Sequence, residues 1–504
     1  MTRFSDYSRT SNVFIHAILK PSMKRLLTTL KKAIPKRHPL RLIWHHAKAF
    51  AAALVYGFPA RRLTVVGITG TDGKTTTVGM VLHILSAAGL KAGALSTAFL
   101  QVGDERIWNQ TQKTSPSPFL IQKFLRRLVR SGCTHAVLEV SSHGLVQGRL
   151  HHTWPLVGAV TNVTPEHLDY HGTLDQYRKD KGLLFRMVRP CGTKVLNADD
   201  PSFPMYAAIP SGQTKVWSVT GEGIRGVQRE QGIQGSEPDV SLWLSDVSVT
   251  ETGSSATMHE KTSNPSTTSM TDEQQANKPT SQQATSYQLT LSIPGAFNLE
   301  NACCAIACAI AVGISMQKAV DALKTFSGIA GRMERIDEGQ SFSVFVDFTV
   351  TPAAYEKTLT TLRAMLPTDK RLLVLTGSCG DRMREKRPIV GRICSALADV
   401  VVVSNEDPYT EDPQKIIDEV YSGIDQSKTE AHKIFDRREA IAFLFAQAKS
   451  GDAVILCAKG SDTTMMTLEG QIPWNERAIA RELLRTKKSE SPAQGLNDSN
   501  RVSP

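Results

Sequence analysis

Residues 63–90 constrain the fold more than any other stretch of the chain. LTVVGIT (63–69) is a β-branched run that closes on glycine. TTTVGMVLHILSAAGL (75–90) sets Val78, Val81, Leu82 and Leu85 on one helical face, with Gly89 as its C-cap. Between them lies Gly70-Thr71-Asp72-Gly73-Lys74-Thr75, with Thr76 opening the helix. A strand that passes through a tight glycine loop into a helix is the first half of a parallel βαβ unit, whose ligands sit at the carboxyl edge of the sheet. The loop's backbone N–H groups and the helix N-terminus are suited to phosphate. Lys74 would neutralise phosphate charge, and the Thr75 hydroxyl would face Mg²⁺. The spacing departs from the general GxxxxGK[ST] pattern, because the position six before Lys74 is Ile68. A plain glycine turn is the alternative; the strand–loop–helix context favours nucleotide binding.

The rest of the chain repeats the alternation. THAVLEV (134–140) and LVGAVTNV (156–163) read as further strands with polar residues at their ends. Residues 240–258 and 286–293 alternate in polarity, as antiparallel strands do, and the Ser/Thr/Gln/Asn run at 259–285 reads as a disordered insertion between them. From Gly331 a second doubly wound α/β unit is expected, with strands SVFVDF (343–348), RLLVLTGS (371–378), ADVVVVSNE (398–406) and DAVILCAKG (452–460). The expected division is a basic arm (1–62), a central α/β domain (63–330), a C-terminal Rossmann-like α/β domain (331–485) and a disordered tail (486–504), in keeping with 504 residues.

Charge and cysteines exclude several functions. Residues 1–62 hold 13 Lys/Arg against one acid, Asp6, so the arm accounts for all of the chain's formal +11 and the remainder is near neutral. That distribution speaks against a nucleic-acid-binding face. The arm either lies on an anionic membrane or is a solvated basic tail. The eight cysteines show no CxxC pairing, and Cys303, Cys304 and Cys308 fall in an Ala-rich apolar run expected to be a buried helix. Such usage suits a reducing cytoplasm. The apolar stretch after Leu42 is interrupted by His45, His46 and Lys48, too short and too polar for a membrane span or a cleavable signal.

TGTDGKTTT, EVSSHGL (139–145), TNVTPEHLDYHGT (161–173), FNLENACCA (297–305), GRMERID (331–337), GDRMREKRP (380–388) and the AKGSD run (458–462) follow in this order. Together they resemble the Mur ligase family over residues 63–485, in its muramoyl-tripeptide synthetase branch. The resemblance implies a central P-loop domain, mostly parallel with a small antiparallel subsheet, and ATP-dependent amide-bond formation through an acyl phosphate. It implies that Thr75, Glu139, His167 and Lys181 serve Mg²⁺, Lys181 as a carbamate, and that Lys74 acts on the phosphates. On the residues alone, His167 reads as a structural histidine and Lys181 as a solvated helix charge. Asn298 and Asn301 match an adenine-contacting pair, Arg332 a residue near the phosphates and Asp347 a ribose-binding acid. Thr114, Ser115, Ser142 and Arg149 match positions that hold the UDP-N-acetylmuramoyl peptide.

Arg382 matches the residue that grips the incoming amino acid's carboxylate. The family's Asp-Asn-Pro-Arg motif of diaminopimelate enzymes is Glu406-Asp407-Pro408-Tyr409 here, and the final glutamate of its last motif is Asp462. An arginine for a distal carboxylate is missing and acids are present, so lysine or ornithine is expected over diaminopimelate, unless Glu406 and Asp407 are ordinary loop acids. Phe348-Thr349-Val350-Thr351 replaces the family's Tyr-Ala-His-Thr run. The family's uridine-binding front domain is expected to be shortened or absent ahead of residue 63. The rival readings are a folylpolyglutamate synthase-like ligase, against which EVSSHGL and EHLDYHGT speak, and a catalytically weak ATP-binding scaffold.

Overall fold

The parallel sheet expected around the glycine loop is the centre of the first of two units in a computed structural model of the protein, which describes residues 37–111, 113–219, 238–262 and 284–490. The units divide between Ile329 and Ala330. In chain order the strands of the first are β1 (Thr64–Thr69), β2 (Ala92–Leu95), β3 (Phe99–Val102), β4 (Glu105–Trp108), β5 (His135–Glu139), β6 (Val157–Val160), β7 (Thr193–Asn197), β8 (Gln213–Ser218), β9 (Val240–Thr250), β10 (Gly253–Thr262) and β11 (Thr285–Leu291). They form one sheet in the order β11-β10-β9-β8-β7-β6-β1-β5-β2-β3-β4. From β9 to β2 every neighbour is parallel. The β10–β11 and β3–β4 extensions at the two edges are antiparallel.

β1 is covered on both faces, and its alternate residues serve two cores. Val66 and Ile68 pack with the helices Lys74–Ala87 and Ala296–Ala311, where Cys303, Cys304 and Cys308 are fully buried. Val65 faces the other core with Ile121, Phe124 and Leu125 of the helix Pro118–Arg130. Helix Lys74–Ala87 differs from the one-faced helix read in the sequence: Thr75–Leu85 are buried on nearly every side, His83 excepted. The cause is the second helix, Ala296–Ala311, whose alanines and cysteines are small enough to close over it.

Two boundaries shift. Residues 259–262 and 285, expected in the disordered insertion, belong to β10 and β11, and 263–283 lie outside the described residues. Helix Glu476–Glu490 runs past Arg485, so the described chain is helical where the tail was expected to begin. The arm is described only from Arg37, as the helix Pro39–Val55 and the short 3₁₀ turn Pro59–Arg62. Among the described residues no helix is long and apolar enough to cross a membrane.

The second unit has strands β12 (Glu334–Ile336), β13 (Ser343–Val346), β14 (Leu372–Thr376), β15 (Val400–Val403), β16 (Glu430–Lys433) and β17 (Ala453–Leu456), in the order β12-β13-β17-β14-β15-β16. All neighbours are parallel except β12 on β13. A buried ion pair ties two of its helices. Arg437 donates from Nε and Nη2 to the Glu476 carboxylate, both at 2.7 Å, and from Nη2 to the Cys457 carbonyl.

Candidate active site

The site of the first unit gathers at the carboxyl ends of β1, β5 and β6. After Thr69 the chain turns through Gly70, at φ 147°, where a Cβ would lie 1.9 Å from Thr161 Oγ1. Gly73, at φ 81°, caps helix Lys74–Ala87, and a Cβ there would meet Asn301 Oδ1 at 2.1 Å. Only glycine fits both places, because left-handed backbone and close approach coincide. The loop is braced from the segment after β6. Thr71 N donates to the Asn162 carbonyl at 2.8 Å, Asp72 N to Asn162 Oδ1 at 3.0 Å, and Thr161 Oγ1 to the Asp72 carbonyl at 2.6 Å. Lys74 Nζ donates to the Thr71 carbonyl at 2.7 Å, along the loop's own edge. Thr76 is buried in the first helical turn.

Glu139, at the end of β5, is buried and aimed at this loop. It accepts from the Thr75 hydroxyl at 3.0 Å and from Thr97 N at 2.6 Å, and Thr97 Oγ1 lies 2.8 Å from its other oxygen. Lys181 stands opposite, on helix Leu174–Met187. It is wholly buried, donates to the Gly70 carbonyl at 2.5 Å, and its Nζ sits 4.5 Å from the centre of the Tyr177 ring. Burial, and then the charge of Lys74, push its pKa well below the ordinary lysine value. An amine so placed is held toward its neutral, nucleophilic form. His167 has left-handed backbone, φ 57°, at the start of the short helix Leu168–His171, and its ring meets His143 edge-on at 4.9 Å.

Beside this centre lie the residues expected to hold the acceptor. Thr114 Oγ1 is 2.9 Å from Thr97 Oγ1. Ser115 Oγ accepts from Ser141 N at 3.0 Å, and Arg149 Nη1 donates to the Ser115 carbonyl at 2.5 Å. Ser142 Oγ is 3.0 Å from His171 Nε2, and His171 Nδ1 is 2.6 Å from Asp180 Oδ2. Arg37 closes this chain with two bonds to the Asp180 carboxylate, at 2.6 and 2.8 Å. Burial raises the Asp180 pKa, but bonds from His171, Arg37 and Gln176 outweigh it and hold the group at about 2. Sequence reasoning missed Thr97, His171, Asp180 and Arg37. His171 was within reach, four residues after His167 in HLDYH, but Arg37 and Asp180 are 143 positions apart and carry no local signal.

Asn298 and Asn301 share a buried face of helix Ala296–Ala311. Asn298 Nδ2 donates to the Pro294 carbonyl at 2.6 Å, and Asn301 Nδ2 to Asn298 Oδ1 at 3.2 Å. Asn301 therefore stands against Gly73, and neither amide is on the surface.

In the second unit, Asp347 follows β13 and accepts from Met333 N at 2.6 Å and from Thr349 Oγ1. The Arg332 guanidinium lies over the Phe348 ring at 4.2 Å. Arg382 is placed 5.3 Å from the centre of the Tyr409 ring, and Tyr409 has left-handed backbone, φ 51°. Lys459 is buried among acids: its Nζ is 2.9 Å from Asp407 Oδ1 and 3.4 Å from Asp462 Oδ2. Asp407 Oδ1 also accepts from Met466 N at 2.8 Å. Burial, reinforced by neighbouring Asp407, lifts Glu406 to about 7; burial likewise lifts Asp462 to about 6, though Lys459 opposes it. Lys386 and Arg437 also draw Glu406 down and Arg332 draws Asp462 down, so Lys459 is one of several cations facing these acids, and burial still prevails at both.

Residues 68–309 match the Mur ligase middle domain, and residues 331–460 match the Mur ligase, glutamate ligase domain. The chain belongs to the Mur ligase family, whose members are ATP-dependent enzymes that form amide bonds. Within the family it resembles the UDP-N-acetylmuramyl-tripeptide synthetase of Roseiflexus sp. (strain RS-1), at 34% identity over 87% of this chain and 82% of that protein. The UDP-N-acetylmuramoyl-L-alanyl-D-glutamate--2,6-diaminopimelate ligase of Chlorobaculum tepidum is 34% identical over 81% of this chain and 73% of its own length. A solved structure of a ligase of that same name matches with a TM-score of 0.53 and 26% identity, covering 84% of this chain and 79% of that one.

Proposed function

We propose that this protein adds an amino acid to a UDP-N-acetylmuramoyl peptide in the cytoplasm, in peptidoglycan precursor synthesis, with Mg²⁺ beside ATP. The observation that carries the reading is the convergence of Thr75, Glu139 and Lys181 on one glycine loop.

Magnesium suits the donors present. The Thr75 hydroxyl and the Glu139 carboxylate are hard oxygen ligands, of the kind Mg²⁺ takes together with substrate phosphates and water. Among the described residues no three His, Cys, Asp or Glu side chains form a ready metal cage. When bound, the ion would neutralise the phosphates during transfer. Lys74 and the loop N–H groups would position those phosphates, with His167 at the rim. Asn298 and Asn301 would flank the adenine, Arg332 the phosphates and Asp347 the ribose, each exchanging present bonds for ligand contacts. The acceptor's carboxylate, oriented by Thr114, Ser115, Ser142 and Arg149, would take the γ-phosphoryl group; an amine then displaces phosphate to leave the amide.

Lys181 is proposed to act as a carbamate. Its neutral Nζ attacks the carbon of CO₂, an N–C bond forms, the displaced π pair rests on oxygen and a proton leaves to solvent. The product is an anion with the reach of a long carboxylate. A protonated amine at this place would repel both the ion and Lys74.

The incoming amino acid is proposed to be lysine or ornithine, with Arg382 on its carboxylate and Asp407, Tyr409 and Asp462 in the side-chain pocket. Support comes from the raised pKa values of Glu406 and Asp462, buried acids beside Lys459 whose charged forms a further cation would favour. The pairing of Asp407 with Lys459, and relatives named for diaminopimelate, weigh on the other side. A mispaired buried charge costs a few kcal/mol, about a hundredfold in rate. Comparing kcat/KM for L-lysine, L-ornithine and meso-diaminopimelate with one acceptor tests this. A diaminopimelate preference would overturn it. The basic arm is proposed to contact anionic lipid at the inner membrane face; residues 1–36 of it lie outside the described residues.

A further inference from the structure

Helix Pro39–Val55 presents its apolar side chains to solvent. The face it buries is made of small residues, Ala49, Ala52 and Ala53, and lies toward the helix Pro118–Arg130. At 100° per residue, Leu40, Ile43, Trp44, Ala47, Phe50, Ala51, Leu54 and Val55 fall within one arc of about 140°. All eight are exposed, the six large ones between 52% and 68%. Those six are half of the twelve large hydrophobic residues exposed in the described chain; the others are scattered, as single exposed apolar residues commonly are. A contiguous stripe of this kind calls for a partner.

Charge selects the partner. Arg41 and Lys48 border the arc, Arg37, Arg61 and Arg62 flank the helix, and no acidic residue occurs between Asp6 and Asp72. A second copy docked on the same face would bring like charges together. A helix with an apolar face, a tryptophan on it and a basic border matches the headgroup–acyl boundary of an anionic bilayer.

We propose that helix Pro39–Val55 is an in-plane anchor that seats the Leu40–Val55 arc in an anionic lipid surface. The inference rests on the reading of the arm given above and extends it from net charge to a defined face. Its effect is to hold the glycine loop, which begins eight residues after Arg62, close to the membrane.

The test is vesicle flotation of the full-length protein, with phosphatidylcholine alone or mixed with phosphatidylglycerol, at low and high salt. Wild type is expected to float with the anionic vesicles, more weakly as salt rises, and to leave the neutral ones. Ile43→Ser/Trp44→Ser and Phe50→Ser/Leu54→Ser change only exposed side chains and should each lower the fraction bound at least about tenfold, with melting temperature and lipid-free ADP formation unchanged. Three results overturn the proposal. Wild type does not bind anionic vesicles; the face variants bind as wild type does, so that charge alone acts; or lipid-free sedimentation shows a dimer that Trp44→Ser dissolves, making a second copy the occupant. Loss of ligase turnover with vesicle binding retained would refute the enzymatic reading and leave this one standing.

Discussion

Replacing Lys181 separates a chemical role for this lysine from a structural one. Its Nζ is buried against the Gly70 carbonyl at 2.5 Å, so Lys181→Met orphans one acceptor, at about 1–3 kcal/mol. Against that, the substitution removes an amine that is costly to bury. A depressed lysine pKa means the unfolded chain binds the proton that the folded chain refuses, so the wild-type lysine costs stability at neutral pH and the cost fades as pH rises toward 10.5. The two effects oppose each other, and in CO₂-free buffer at pH 7 the melting temperature should move by no more than about 5 °C. Ligation should nonetheless fall by at least about a thousandfold, because an anionic group beside the phosphates is lost. Lys181→Ala should be equally inactive and partly rescued by acetate, which fits the vacated space. Lys179 is the control: it pairs with Asp175 on the exposed side of the same helix, an interaction worth about 0.3–0.5 kcal/mol, and Lys179→Ala should change turnover less than about twofold. Assays of ADP release at fixed bicarbonate, with and without acetate, decide the matter. An active Lys181→Met protein, or acetate rescue at position 179, would refute the carbamate.

Two further outcomes follow from the geometry. Lys74→Ala should leave the circular dichroism spectrum and melting temperature intact while acceptor-dependent ADP formation falls at least about a hundredfold, since its ammonium lies on the edge of the loop, 2.7 Å from the Thr71 carbonyl, where phosphate charge would be neutralised. Arg437→Met should destabilise the second unit by about 3–5 kcal/mol, read as a lower urea midpoint, because it leaves the Glu476 carboxylate buried without its cation.

How much of this was legible in the sequence depended on the range of the interactions involved. The β1–loop–helix unit was readable because a strand, its glycines and the helix start are local. The four main strands of the second unit were readable as apolar runs, and the cysteine run as a buried helix. Short strands were harder: Phe99–Val102 and Glu105–Trp108 carry four residues each, too few for alternation to register. Helix Pro39–Val55 reads in the sequence as part of a basic arm because its charges dominate a residue count, whereas its burial runs through alanines. Within the site, Lys74 was legible from the loop itself, whereas Glu139 and Lys181 were marked only by the family resemblance; the fold brings all three to one loop. The Ser142–His171–Asp180–Arg37 chain and the Lys459–Asp407 pair join distant segments, and only the folded sheet brings them together.

In the reaction proposed for this protein, an acceptor carboxylate is activated by ATP before an amine displaces phosphate. The most direct test of this order uses UDP-N-acetylmuramoyl dipeptide with ¹⁸O in the reacting carboxylate, together with ATP and an amino acid. Transfer of one ¹⁸O into inorganic phosphate, in step with formation of the extended peptide and ADP, is the predicted result. Phosphate released without label while the amide product forms, or ADP formed with no dependence on the acceptor, would contradict it.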